Sequence, residues 1–172
     1  MRKTVWKRWS GGLVLMGMLS AGCMSLGRLT GPQDVQQPVI VVSSPVEPAW
    51  TPTTWESVST PQHRKVLERA EVRTITGEVV DVSCFLQLGK RGEAHISCGQ
   101  KCVRNGQPIG ILTDEGRLYL VIPEEHHPRR DGQVSITERF ADLMAKRVRV
   151  SGMVTEYKEY RTIFVRTRPE TQ

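Results

Sequence analysis

The chain lacks most of the short motifs that announce an activity. It has no CxxC pair, which removes the standard zinc-finger spacings, and no CxxCH, which removes covalently attached c-type haem. No Ser-His-Asp signature, glycine-rich phosphate loop or HExxH helix is present. Aromatic residues make up only 6% of the 172 residues. On the strand-like segments Tyr119 and Phe164 are the main ones, so a stacking platform for single-stranded nucleic acid is short of rings. No internal repeat is visible. The N-terminal apolar run, GGLVLMGMLSAG, is too short to span a bilayer comfortably as a permanent helix. Cysteine is scarce too, at four residues. Three of them fall within one stretch, Cys84 to Cys102, together with His95.

The N-terminus sets the expected compartment. MRKTVWKRW carries Arg2, Lys3, Lys7 and Arg8 and no acid. A basic start, a short apolar run and small residues before a cut describe a secretory signal. Leu19-Ser20-Ala21-Gly22-Cys23 resembles the lipobox of bacterial lipoproteins. That resemblance implies a diacylglyceryl thioether on Cys23, cleavage before it, and an acylated, palmitate-type new N-terminus. Several acyl chains anchor stably where one does not. The plainer alternative is an ordinary signal peptide with a chance cysteine. Lipoproteins kept at the inner membrane usually carry aspartate after the lipidated cysteine. Met24 in that place points to the periplasmic face of the outer membrane in a Gram-negative host.

Removing residues 1–22 takes away four positive charges and no acid, so the formal charge falls from +6 to +2. An exported chain of this charge is a poor partner for nucleic acid. Residues 23–62 then read as a lipidated cysteine and a proline-rich tether, with six of the ten prolines between Pro32 and Pro61. The alternative is that Trp50, Trp55 and the VIVV run dock on the domain. Residues 63–172 form that domain. It is long enough for a single small core.

Its segments are legible. Thr60 caps a short helix with Pro61 in the first turn. VRTITGEVVDVSCF reads as a strand running to Cys84, with Gly77 as a bend. PIGILT and RLYLVI flank a tight turn at Asp114-Glu115-Gly116, and RVRVSGMVTEY and RTIFVRTR flank another at Lys158-Glu159-Tyr160. Between the two hairpins lies SITERFADLMAKR, with Ser135 and Glu138 as a capping box. Ile136, Phe140, Leu143 and Met144 form one apolar helix face there. The order β-β-β-α-β-β, over Val72–Thr167, resembles that of the five-stranded OB-fold barrel. The class is therefore all-β with one or two short helices.

One insertion departs from that pattern. LGKRGEAHISCGQKCVRNG separates strands one and two, and its second half predicts a helix ending at Asn105-Gly106. His95, Cys98 and Cys102 stand at i, i+3 and i+7, within one narrow stripe. Cys84, at the end of strand one, is the natural fourth member. Three thiolates and an imidazole suit zinc or copper(I). Two other readings stay open. A disulfide from Cys84 to either helix cysteine is geometrically easy and leaves one thiol free. Thiol-redox chemistry needs one of Cys98 and Cys102 as nucleophile and Cys84 as resolving partner. His126 and His127 are a second candidate, but in PEEHHPRRDG they read as an exposed loop, with Arg129, Arg130 and Asp131 solvated. Glu78 and Asp81 lie on opposite strand faces and do not read as an acid/base pair.

The string TGEVVDVSCF…H..C…C…G.PIGILTDEGRLYLV also resembles a group of small exported bacterial proteins. They share Cys84, His95, Cys98, Cys102, Gly106 and Pro108 as numbered here. The resemblance implies that the cysteine-histidine group belongs to the domain's design, and it implies no activity. The expected function is a membrane-anchored envelope lipoprotein that binds a transition metal through those four residues. Four protein ligands close a site, which suits structure or storage better than catalysis. The alternative is a redox or disulfide-stapled module that binds an envelope polypeptide or glycan.

Overall fold

β-Branched runs become the strands, and their pairing closes a barrel. The computed structural model describes residues 38–42, 49–124 and 136–166. Cys23, Ser135 and the His126–His127 pair lie outside them. In chain order the strands are β1 (Ile40–Val41), β2 (Glu71–Asp81), β3 (Ile109–Leu112), β4 (Leu118–Pro123), β5 (Arg147–Tyr157) and β6 (Tyr160–Val165). β2 pairs antiparallel with β5 through Glu71–Glu78 and with β3 through Glu78–Asp81. β3 continues to β4, β4 runs parallel to β6, and β6 returns antiparallel to β5. Five strands thus close on themselves in the expected OB-like order, and β1 adds outside, parallel to β5 at Val148–Arg149.

Gly77 lies where β2 passes from one partner to the other. A Cβ there would stand 2.4 Å from the Leu112 carbonyl oxygen, so only glycine admits so close a crossing. Inward residues Val79, Ile111, Val148, Val150 and Ile163 are fully buried.

The helices are α1 (Pro52–Glu56), α2 (Pro61–Glu68), α3 (Val82–Leu88), α4 (Ile96–Arg104) and α5 (Thr137–Asp142). Thr60 caps α2 with Pro61 in its first turn, as expected. α5, between β4 and β5, is shorter than the capping box predicts. It starts after Ile136, and no side chain caps it. Its apolar face holds: Ile136, Phe140, Leu143 and Met144 are all buried. Phe140 is 0% exposed in the barrel core. Phe140→Ala is therefore expected to cost about 3–5 kcal/mol, read as a lowered denaturant midpoint at unchanged slope.

The proline-rich approach is not free of the barrel where it is described. Trp50 Nε1 donates to the Leu67 carbonyl at 2.9 Å, and its ring meets Phe164 edge-on, centroids 5.2 Å apart. The Thr51 amide donates to the buried Glu124 carboxylate at 2.8 Å. Arg166 ties that carboxylate to the Ala49 carbonyl. Trp55 carries the Arg64 guanidinium 4.6 Å above its ring. These residues dock on the domain through side chains that the proline count does not reveal.

Candidate metal centre

The insertion between β2 and β3 carries the cysteines, and its first element differs from expectation. Cys84 does not end a strand. β2 stops at Asp81, and Cys84 lies in the first turn of α3. The cause is Asp81 itself. Its Oδ1 accepts from the backbone N–H of Ser83 at 3.0 Å and of Cys84 at 3.3 Å, a side-chain cap that starts a helix inside a valine-rich run. Gly89, at φ 66°, ends α3.

The chain then returns. Glu78 holds the turn, accepting from the Gly92 amide at 2.7 Å and pairing with Arg91. A single 3₁₀ turn, Glu93–His95, leads into α4. Ser83 is hydrogen-bonded to Gln107, and the Val82 amide donates to the Pro108 carbonyl at 3.0 Å. The start of α3 is thereby fixed to the segment that leaves α4.

α4 lies on α5. Arg104 reaches Glu138 at 2.8 Å and Asp142 at 2.6 Å. Gly99 allows the approach, since a Cβ there would stand 2.9 Å from the Met144 sulfur and 3.3 Å from the His95 ring. His95 is consequently packed in place, 5% exposed.

The expected residues converge. Donor atoms of Cys84, His95 and Cys98 lie within 4.8 Å of one another. So do those of Asp81, Cys84 and Cys102, which brings in a residue the sequence reading set aside. Cys98 is exposed, and Cys84 and Cys102 are half-buried, all three as free thiols. Asp81 is 0% exposed. Its Oδ2 and the His95 Nε2 are buried with no hydrogen-bond partner. The two atoms are 3.8 Å apart, beyond hydrogen-bonding reach. A buried polar atom without a partner is costly, and two of them facing a group of thiols form the feature that a cation resolves.

Electrostatics point the same way. A hydrogen bond to Asp81, then burial, push the Cys84 thiol above its ordinary pKa. Burial, then Asp81, push Cys102 up to about 12. Such thiols are protonated and are poor nucleophiles near neutral pH. A bound cation reverses that balance, because a coordinating thiol loses its proton outright.

A Ser or Asp before a predicted helix is a capping signal, and the Asp81-Val82-Ser83-Cys84 string contains one. It was the cue available for both the α3 start and the role of Asp81. Comparison of the chain with protein-family models, curated proteins and solved structures finds no match.

Proposed function

We propose that this chain is an envelope lipoprotein whose OB-like domain binds a transition metal, zinc or copper(I), through Cys84, His95, Cys98 and Cys102. One observation carries the reading. Two separate helices bring the Cys84 and Cys98 thiols to a buried histidine that has an unpartnered ring nitrogen, and Cys102 to Cys84. Thiolate and imidazole are the donors that both metals accept. The raised Cys102 thiol weakens the form of the redox alternative in which Cys102 attacks, which needs a thiolate at rest.

The test is elemental analysis of the full chain purified in detergent without added metal, with a parallel count of reactive thiols. Near-stoichiometric metal, with three thiols reactive after chelation, supports the reading. Absence of metal with a single reactive thiol replaces it with a disulfide-stapled module that binds an envelope polypeptide or glycan.

The lipid anchor is part of the same proposal, and the lipobox-like Leu19–Cys23 string supports it. Cys23→Ser is expected to abolish incorporation of a labelled fatty acid and to leave the signal uncleaved. Equal labelling of mutant and wild type would sink the anchor. A metal-binding module tethered in this way acts at the membrane surface, on ions or envelope proteins there. Nucleic acid is not among its expected partners.

A further inference from the structure

The geometry points to two zinc ions held by five residues, with the Cys84 sulfur shared between them and Asp81 as the fifth ligand. This rests on the metal reading above and goes beyond its four-residue set.

A single tetrahedral zinc, with bonds of about 2.0–2.3 Å, needs all its donors within about 4 Å of one another. The donors here form two threes that adjoin, with His95 Nε2 of one and Asp81 Oδ2 of the other 3.8 Å apart. Cys84, His95 and Cys98 make one, and Asp81, Cys84 and Cys102 make the other. Among the described residues no four donors share the 4.8 Å spacing. Cys98 and Cys102 are four residues apart on α4, so their Cβ atoms are about 5–6 Å apart. Cys84, approaching from α3, is the sulfur that both groups contain. A thiolate sulfur keeps three lone pairs and can bond two metal ions at once.

Asp81 has the properties of a ligand on the second ion. One oxygen is used in capping α3, and the other is buried and unpartnered. Charge agrees. Three thiolates and this carboxylate carry four negative charges, which two zinc ions balance with His95 neutral. One ion on Cys84, His95 and Cys98 would leave the fully buried Asp81 carboxylate without a cation of its own, an expensive arrangement. The donor set also selects the metal. Zinc accepts thiolate, imidazole and carboxylate, whereas copper(I) prefers thiolate and carboxylate suits harder ions. Each ion then has three protein donors and one position left for water or for a donor from a partner, the open arrangement of reactive zinc sites. Cys98 is exposed, so its ion is the one open to solvent.

The test counts zinc. Reduced, metal-stripped full chain in detergent is loaded with zinc, freed of excess, and measured by elemental analysis and by native mass spectrometry. Two zinc ions per wild-type chain are expected. Asp81→Asn keeps an oxygen to cap α3 but removes the carboxylate, and it should hold one. Cys102→Ser, which leaves the cap untouched, should also hold one. His95→Gln should hold one, by loss of the other ion. Cys84→Ser should hold none at the zinc concentration that saturates wild type. One zinc in wild type, unchanged in Asp81→Asn and Cys102→Ser, overturns the two-ion assignment and leaves the metal reading standing. Two zinc ions retained in both of those variants overturns it as well. No zinc in wild type removes both.

Discussion

Cys84→Ser is expected to lower zinc affinity by far more than the roughly 10–100-fold that follows loss of an outer-shell partner. The reason is position. Cys84 is the one residue present in both groups of donors, and a serine hydroxyl offers neither the charge nor the softness of a thiolate. His95→Ala should weaken binding too, because it removes a buried, unpartnered nitrogen donor. A disulfide account predicts the opposite for His95, making it a bystander. The His126→Ala, His127→Ala double mutant should bind as wild type does. Titration of each variant against a competing chelator, with far-ultraviolet dichroism to follow α3 and α4, separates these accounts. Wild-type affinity in Cys84→Ser would end the metal reading.

Much of the barrel was legible because its signals are local. β-Branched runs, two tight turns and the glycine at position 77 fix five strands without reference to anything distant. The apolar spacing of Ile136, Phe140, Leu143 and Met144 likewise identified the face that α5 buries. The stripe of His95, Cys98 and Cys102 was readable for the same reason, since three positions on one helix need only a period.

What escaped depends on single side chains that act across the chain. Val79, Val80 and Val82 read as continuous strand, and the Asp81 carboxylate that captures two amides and breaks the run is one residue among them. The alternation that separated Glu78 from Asp81 was sound. Glu78 faces Arg91 and the Gly92 amide, while Asp81 points into the thiols. Their separation removed them as an acid/base pair, but it said nothing of what each meets on its own side. Trp50 was hidden in the same way. Proline density describes the backbone near it, whereas its docking rests on the Leu67 carbonyl and the Phe164 ring.

Zinc affinity is expected to fall by at least about 10⁴-fold between pH 7.5 and pH 5.5. The sign follows from the proton count. Both the Cys84 and Cys102 pKa values lie above the ordinary thiol range, the second at about 12, so the metal-free chain carries both protons throughout this window. The metal-bound chain has lost them, because zinc takes thiolates. The metal-free form therefore holds at least these two protons more, with the Cys98 thiol able to add to them, and each changes the binding constant about tenfold per pH unit. Two protons over two units give the stated factor, with affinity rising as pH rises. Cys102→Ser removes one of these protons, so its affinity, though weaker, should fall less steeply than wild type, by about one order per unit less. The measurement is chelator competition at several pH values, corrected for the chelator's own protonation, together with proton release into a weak buffer on zinc addition. Release of two or more protons near neutrality supports ligation by the thiols. A flat profile with no release would mean that any zinc present is held by groups already deprotonated, and would exclude Cys84 and Cys102 as its ligands.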